Sequence, residues 1–280
     1  MEVIQNKTFD TERALYSLSD ALVYNCTFKG PADGESVLKE SRNIAVNQCS
    51  FSLRYPLWHA HNYKILQSHF DELSRAPIWY CYHGEIINSH IYSVKAIREC
   101  EDINIVNSEI VSPEFGWKSK GIKISNSSIV SEYLFFDSQD IEIEHLEFKG
   151  KYSFQYTKNV VIKNSHLNTK DAFWHSKNVT VMNSVIKGEY LGWFSDGLTI
   201  INCKIIGTQP LCYCQNLKII DSEMIDCDLS FEYSDVDASI KGYLESIKNP
   251  RSGKIIVDQV GSIIKENPVM ECTGEVIIRK

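Results

Sequence analysis

The chain has 280 residues and a formal net charge of −7 at pH 7. Its Lys and Arg residues are spread evenly, so no basic stripe is available for a phosphate backbone, and we do not expect nucleic acid as a partner. No apolar run approaches the ~20 residues of a membrane-spanning helix, and the start lacks the charged and apolar regions of a signal peptide. We therefore expect a cytoplasmic protein without a membrane partner.

A short repeat organises the chain. Each repeat carries an Asn-Ser pair, or a variant of it, that marks the register. The pairs are Asn25-Cys26, Gln48-Cys49, Gln67-Ser68, Asn88-Ser89, Asn107-Ser108, Asn126-Ser127, His145-Leu146, Asn164-Ser165, Asn183-Ser184, Asn202-Cys203 and Asp221-Ser222. From Ser89 onward the step in residue number is always 19, whereas the first and third steps are 23 and 21. We place the extra residues in corner loops, around residues 31–34 and 74–77.

Each repeat alternates apolar and polar residues in short bursts, which is the pattern of β-strands. Examples are Val160-x-Ile162, Val179-x-Val181 and Leu198-x-Ile200. Three strands and three corners within so short a repeat leave no room for a helix. The pattern predicts an all-β fold, a right-handed parallel β-helix of roughly 11–13 coils, because crossovers between parallel strands almost always take the right hand. A leucine-rich repeat has a similar period but needs one more residue before its Asn.

Two columns of polar residues are predicted at coil corners. The Asn of the Asn-Ser pair is expected to point inward and to bond the turn and the next Asn, as an asparagine ladder. The second column, where left-handed backbone angles are tolerated, is Asn43, Asn62, Asp102, Asp140, Asn159, Asn178 and Asn216, with Gly121 and Gly197 interspersed. Cysteine replaces the Ser of the pair at Cys26, Cys49 and Cys203, so we expect small, packed free thiols and not disulfides or zinc ligands.

We expect one domain, residues 1–280. Residues 1–24 are predicted to cap one end, 25–234 to form the regular coils, and 235–280 to supply C-terminal strands that cap the other end. Caps are needed because an open end would expose unpaired strand edges and apolar core.

Several phrases identify a resemblance that runs over essentially the whole chain. They are Arg54-Tyr-Pro-Leu-Trp-His59, Ser112-Pro-Glu-Phe-Gly-Trp117, Lys149-Gly-Lys-Tyr-Ser-Phe-Gln-Tyr156, Thr169-Lys-Asp-Ala-Phe-Trp-His175, Gly188-Glu-Tyr-Leu-Gly-Trp193 and Gly207-Thr-Gln-Pro-Leu-Cys-Tyr-Cys214. With these phrases the chain resembles a bacterial family described only as a domain of unknown function. The resemblance implies a single-domain β-helix of the pectin-lyase-like type. It implies no activity, cofactor or catalytic residue.

The third strand of each coil holds the least repetitive residues, so a site is expected there. If Leu191, Trp193 and Ser195 point inward, Gly192 and Phe194 point outward. The outward column would then be Lys118, Asp137, Tyr156, His175, Phe194, Tyr213 and Glu232, and its outward neighbour would be Gly116, Phe135, Phe154, Phe173, Gly192 and Leu211. Exposed aromatics in register suit sugar rings or a partner protein. In the alternative, these aromatics fill the core, and Trp193 and the Trp residues at the equivalent position of other coils, the Trp column, lie outside.

The corner before this strand adds further candidates. Expected ligand-binding residues from the corner and the outward column together are Tyr133, Tyr152, Tyr156, Asp171, His175, Tyr190, Phe194 and Tyr213. Asp171 and Glu189 lie on adjacent coils, and glycoside hydrolysis needs two carboxyls about 5–10 Å apart, so they are the only catalytic candidates. A candidate for a divalent metal site is His69, His90 and Glu109, which stack in one column.

The sequence favours a non-catalytic binding module or scaffold for a glycan or a protein, since aromatics are abundant and clustered acids scarce. The alternative is a carbohydrate-active enzyme, a polysaccharide lyase or glycoside hydrolase, which rests on fold analogy and on Asp171 and Glu189. No nucleotide-binding, nucleophile-elbow or zinc-protease motif is present, and we expect no cofactor. The sequence leaves the oligomeric state open.

Overall fold

A computed structural model describes residues 1–30 and 35–280 of the chain. In these residues all regular structure is β, and there is no helix that could span a membrane. The strands form a parallel β-solenoid of about 14 turns, about 19 residues apart, which confirms the predicted fold class. The loop predicted at residues 31–34 lies outside the described residues.

The chain forms two compact units, Met1–Glu142 and Ile143–Lys280. Strands of the first unit are β1 (Glu2–Gln5), β2 (Thr8–Phe9), β3 (Ser19–Tyr24), β4 (Thr27–Lys29), β5 (Arg42–Asn47), β6 (Ser50–Ser52), β7 (Leu57–Trp58), β8 (His61–Leu66), β9 (His69–Phe70), β10 (Ile78–Trp79), β11 (Tyr82–Ile87), β12 (His90–Tyr92), β13 (Ile97–Arg98), β14 (Glu101–Val106), β15 (Glu109–Val111), β16 (Glu114–Phe115), β17 (Lys120–Ser131) and β18 (Tyr133–Leu134). Strand β19 (Gln139–Gly150) crosses the boundary in sequence.

Strands of the second unit are β20 (Lys158–Lys163), β21 (His166–Asn168), β22 (Lys177–Met182), β23 (Val185–Lys187), β24 (Asp196–Ile201), β25 (Lys204–Ile206), β26 (Leu217–Ile225), β27 (Asp235–Lys248), β28 (Ser252–Ile264) and β29 (Glu275–Ile278). In both units every strand pairs in parallel with its counterpart one coil away. Strand β22, for example, pairs with β20 and β24 at the step of the sequence repeat, as in Val160↔Val179 and Val179↔Leu198.

The inner face of each coil is apolar, as the alternation predicts. Val179 and Val181 are fully buried, and so is the Phe column of the first unit, where Phe28, Phe51 and Phe70 stack with ring centroids 4.7 and 4.4 Å apart. Because each inward side chain contacts its copy on the next coil, one continuous apolar core fills each unit. The predicted insertion at residues 74–77 lies in a loop, where Leu73 is exposed.

Serine, and not asparagine, forms the inward polar column. Ser68 is buried, its backbone N–H donates to Ser89 Oγ at 3.1 Å, and its own hydroxyl donates to the carbonyl of Leu66 at 2.8 Å. The Asn residues beside these serines have positive φ, near 50°, and their side chains are exposed. The prediction of an inward asparagine ladder is therefore wrong: the left-handed backbone turns the amide outward, where isolated pairs such as Asn202 and Asn183 bond at 3.0 Å.

The second polar column is confirmed as a left-handed corner. Asn43, Asn62 and Asn178 have φ of 53, 52 and 53°, and Gly121 and Gly197 have φ of 68 and 73°. The thiols also lie as predicted. All nine cysteines are free, and the sulfurs in the serine column replace hydroxyls in the same hydrogen bonds.

The third segment of the coil forms the two-residue strands β7, β10, β13, β16 and β18 in the first unit, but it departs from strand geometry in the second. In the second unit, φ is positive at Asp171, Phe173 and His175, with values of 51, 61 and 55°, and the residues between them are not left-handed. Asp171, Ala172 and Phe173 are all buried, which a pleated strand with one face towards solvent cannot achieve because its side chains alternate between faces. Strand parity therefore does not apply to this segment.

The broken parity corrects part of the sequence prediction. The column predicted as the outward neighbour is buried instead: Phe135, Phe154, Phe173 and Leu211 are 0% exposed. The predicted outward column is exposed or half-buried at every position, so that prediction is confirmed. Trp193 was predicted inside, yet the Trp residues lie half-buried on the outer side. Their indole N–H groups donate to corner carbonyls, as from Trp193 Nε1 to Gln209 O at 2.8 Å.

Candidate functional site

The candidate site is an aromatic ladder on the outside of the second unit, formed by Tyr156, His175, Phe194 and Tyr213. Successive ring centroids are 4.9, 5.0 and 4.8 Å apart, and successive ring planes differ by 11, 5 and 13°. One ring comes from each coil, and the spacing matches the distance between paired strands, about 4.8 Å. The coil repeat therefore determines the spacing of the rings in the ladder.

The backbone of the third segment places these rings outside. Tyr156, His175, Phe194 and Tyr213 all have left-handed φ, between 55 and 60°. This conformation costs roughly 1 kcal/mol or more for a residue that is not Gly, Asn or Asp. Backbone hydrogen bonds between coils hold it, as from His175 N to Trp193 O at 3.1 Å and from Phe194 N to Cys212 O at 3.2 Å.

The ladder is exposed through its ring edges. Tyr156 is 46% and Phe194 43% exposed, and His175 is also exposed. His175 and Phe194 each have a ring stacked on both faces. What the ladder offers to solvent is therefore a row of ring edges. Tyr213 is half-buried, and burial, then the charge of Glu232, raises the pKa of its hydroxyl.

Two further aromatic groups support the ladder. Trp174 and Trp193 stack beside it with centroids 5.5 Å apart and planes within 8°. Tyr233, which the sequence analysis missed, is 7% exposed and packs against Tyr213 at 5.6 Å with a 41° tilt. Tyr233 lies one residue later than the repeat predicts from Tyr213, so the repeat register did not find it.

The corner beside the ladder brings Tyr152, Asp171 and Tyr190 onto consecutive coils. The backbone N–H of Tyr152 donates to Lys170 O at 2.8 Å, and that of Asp171 donates to Glu189 O at 3.0 Å. Tyr152 and Tyr190 are half-buried, and Tyr190 packs edge-on against Trp193 at 5.5 Å. Every predicted binding residue except Tyr133 thus belongs either to the ladder or to this corner.

The two candidate carboxylates have different environments. Asp171 is only 8% exposed, and burial raises its pKa, with Lys170 opposing and Glu189 adding to the rise. Glu189 is exposed and forms an ion pair with Lys170, whose ammonium lies 3.0 Å away. That contact raises the pKa of Lys170, whose ammonium also lies over the Tyr190 ring at 5.5 Å. Sequence reasoning missed Lys170, which lies beside both acids.

The remaining candidates lie in the first unit. Tyr133 is half-buried, and its carbonyl accepts from Trp117 Nε1 at 2.9 Å. His90 Nδ1 lies 3.3 Å from Glu109 Oε2, while the rings of His69 and His90 are 6.4 Å apart. Within the described part of the chain, no group of three His, Cys, Asp or Glu residues is arranged to hold a metal ion.

Comparison with known proteins gives one match over the whole chain. The model of the family described as "Protein of unknown function (DUF3737)" matches residues 2–278. No curated protein matches the sequence.

Solved structures give distant similarities. They include PfbA, a surface adhesin of Streptococcus pneumoniae, with 12% identity over 85% of this chain and 70% of that chain and a TM-score of 0.40. The catalytic domain of a GH87 α-1,3-glucanase in complex with tetrasaccharides has 9% identity over 98% of this chain and 63% of that chain, with a TM-score of 0.38. The A-module of the mannuronan C-5 epimerase AlgE4 of Azotobacter vinelandii has 8% identity over 97% of this chain and 88% of that chain, with a TM-score of 0.29.

Proposed function

This chain belongs to the DUF3737 family, and from the geometry of its second unit we propose that it is a non-catalytic binding module that presents the aromatic ladder to a protein partner. The observation that carries the proposal is the row of four stacked rings about 5 Å apart, of which Tyr156, His175 and Phe194 are exposed and Tyr213 is half-buried. An apolar surface of this kind on a soluble protein usually serves recognition.

Ring stacking favours a protein over a glycan. A sugar packs its apolar side against an open aromatic face, and both faces of His175 and Phe194 are already covered by neighbouring rings. Ring edges carry partial positive charge and prefer the faces of other aromatic rings. Protein interfaces are enriched in aromatic residues, so a protein partner can pack the faces of its own aromatic rings against these ring edges.

Capture experiments with a backbone-matched substitution test the proposal. Phe194→Asn removes one ring while keeping a residue that tolerates left-handed φ. Lys118→Asn is the control, because Lys118 is exposed, belongs to the same column of the repeat and has φ of 52°. Immobilised wild-type protein is expected to retain a specific protein from extracts of the cells that produce it. Phe194→Asn should retain at least tenfold less of that protein, and Lys118→Asn the same amount.

A thermal-shift panel of neutral, amino and acidic oligosaccharides tests the glycan reading in parallel. A ligand that binds only the native state raises the unfolding midpoint. We expect no shift with the wild-type protein. A sugar that stabilises the wild type but not Phe194→Asn would show a glycan module instead. Equal protein capture by the wild type and both variants would show that the ladder takes no part in recognition.

A second candidate function, carbohydrate cleavage, rests on Asp171. Its pKa is raised by burial, and an exposed carboxylate lies on the next coil at Glu189, so two carboxyl groups in different environments are neighbours, as acid and base catalysis requires. The ion pair of Glu189 with Lys170 opposes this role, because it ties up the base. Incubation with the same oligosaccharides tests it: turnover that Asp171→Asn and Glu189→Gln both abolish would establish an enzyme.

A further inference from the structure

An aliphatic stripe runs along the outer face of the last coils, away from the aromatic ladder. It comprises Ile201, Ile220, Ile256 and Ile277, with Ser239 between the second and third. Pairing places Ile201 opposite Ile220, and Ser239 opposite Ile256, which in turn pairs with Ile277. Between Ile220 and Ser239 the two strands pair irregularly, with a bulge that begins after Ile219. Ile220 is 44% and Ile277 41% exposed. Four isoleucines in one column on an outer sheet face are unusual for a surface that meets only water.

The stripe has a groove at Ser239. Its volume is about 300 Å³, and its lining includes the two small residues Ala238 and Ser239 between Ile220 and Ile256. The Ser239 hydroxyl is satisfied within the protomer, since it donates to Asp221 Oδ1 at 2.9 Å and accepts from Arg279 Nη2 at 2.7 Å. An apolar side chain can therefore enter the groove without stranding that hydroxyl.

A column of four charges runs beside the stripe. Lys218, Asp237, Lys254 and Glu275 lie in register on four consecutive strands and are all exposed. Their charges alternate in sign along the column. Within the described residues, none of the four forms an ion pair at 4.0 Å or less. The column is thus a regular pattern of alternating charge whose members form no close ion pair within the described part of the protomer.

We infer that this face binds a second copy of the chain through a two-fold axis that crosses the stripe between Ser239 and Ile256. Each of the four consecutive strands forms one row of this face, and the axis, which runs along the strands, reverses the order of the rows in the partner. It sets Lys218 opposite Glu275 and Asp237 opposite Lys254, so every charge in the column meets its opposite. It also sets Ile256 of each copy over the Ser239 groove of the other. The same surface patch is used twice, as a closed two-fold dimer requires.

The charges fix the register of this dimer. A shift by one row in one direction sets Asp237 against Glu275 and Lys254 against itself. A shift in the other direction sets Lys218 against Lys254 and Asp237 against itself. Both alternatives place like charges opposite each other, which disfavours them. Only the axis between Ser239 and Ile256 both places opposite charges across the interface and seats Ile256 in the groove of the other copy.

The extent of the face sets the strength of association. Four rows spaced about 4.8 Å apart make an overlap on the order of 15–20 Å long. Such a patch is below the standard interface size, so we expect a dimer with a dissociation constant in the micromolar range. Association at these concentrations is measurable by sedimentation velocity of the full chain.

A charge-swap experiment tests the inference. Asp237→Lys alone and Lys254→Asp alone each place like charges across the axis, so each should sediment as a monomer at concentrations where the wild type dimerises. An equimolar mixture of the two variants restores both opposite-charge contacts, and we expect it to dimerise. Lys187→Asp, an exposed reversal on strand β23, is the matched control and should dimerise like the wild type.

Two results would overturn the inference. The first is a wild type that stays monomeric up to about 200 μM, well above the expected micromolar constant. The second is a dimer that both single variants retain, or a mixture that fails to recover what the single variants lose. Circular dichroism of each variant checks folding, and recovery in the mixture itself shows that both chains are folded. Phe194→Asn should leave the dimer intact, so this inference and the proposed function are tested separately.

Discussion

The ring of Tyr63 fills the space that a side chain at position 84 would need. A Cβ atom built on Gly84 would overlap the Tyr63 ring and its hydroxyl. Both residues occupy the inward aliphatic column of the first unit, where the neighbouring coils carry Ile44 and Ile103. One large and one absent side chain thus share the volume of two isoleucines. The exchange has a cost, because the Tyr63 hydroxyl is buried and has no hydrogen-bond partner within the described residues.

Tyr63→Phe should therefore stabilise the protein. Burial, together with the nearby thiols of Cys81 and Cys100, raises the pKa of Tyr63 well above its ordinary value, so the hydroxyl stays neutral and unpaired. Removing it should raise the free energy of unfolding by about 1 kcal/mol, measured by urea denaturation. Tyr82→Phe is the control, since Tyr82 is half-buried on the next coil and its ring stacks on His61. A lower stability for Tyr63→Phe would mean that the hydroxyl is bonded to buried water.

The serine column predicts the effect of changing Cys49. Its sulfur accepts the backbone N–H of Cys26 at 3.4 Å and donates to Asn47 O at 3.4 Å, and burial raises its pKa to about 12. Cys49→Ser keeps both hydrogen bonds, so its stability should stay within about 1 kcal/mol of the wild type. Cys49→Ala leaves the buried N–H of Cys26 unpaired and should cost about 1–3 kcal/mol. Equal stabilities of the two variants in urea would contradict this role of the thiol.

Arg98 replaces an aromatic ring in the Trp column of the first unit. Its guanidinium lies 5.2 Å from the Trp79 ring centroid and 5.3 Å from that of Trp117. Arg98→Lys keeps the charge but loses the flat group between two indoles, so it should cost about 0.5–2 kcal/mol. The measurement is urea denaturation followed by tryptophan fluorescence. Arg75→Lys, in an exposed loop, should have no effect, and an equal loss there would show that the stack is unimportant.

Replacing Asp171 with Asn should stabilise the protein relative to the wild type, and the size of the effect should depend on pH. Because its pKa is raised in the folded state, the folded chain binds the proton more tightly than the unfolded chain, and stability falls as pH rises through the folded pKa. Asp171→Asn cannot ionise and also tolerates the left-handed backbone, so at pH 7 its free energy of unfolding should be higher than that of the wild type. The difference should shrink as pH falls towards about 4. A variant that is less stable at pH 7 would show that the carboxylate is favoured there.

The repeat register predicted the coil period, the insertion loop at 74–77 and the buried free thiols, because each follows from repetition of one position. The resemblance to a family of unknown function is confirmed as well. The side-chain directions were predicted less well. Strand parity placed Phe173 outside and Trp193 inside, and both are reversed because the third segment has positive φ at alternate residues. Phe, Tyr and His seldom adopt that conformation, so their identity gave no warning.

At the corner around Asp171, too, the sequence predicted which residues are neighbours but not how their side chains are arranged. The sequence placed Asp171 and Glu189 on adjacent coils, but only the structure shows Lys170 beside Glu189 and the near-complete burial of Asp171. It also shows that the rings of the ladder cover one another's faces. A register predicts which residues are neighbours, whereas ring planes and ion pairs depend on rotamers that a register does not specify.

Photo-crosslinking from the centre of the ladder tests the account most directly. Benzoylphenylalanine in place of Phe194 keeps an aromatic ring at the same exposed edge, and irradiation in the producing cells should join it to one discrete protein partner. The same residue in place of Lys118 should give no such adduct. A partner captured from position 194 alone is the predicted result. No adduct at 194, or the same adducts from both positions, would contradict the claim that the ladder is a protein-binding surface.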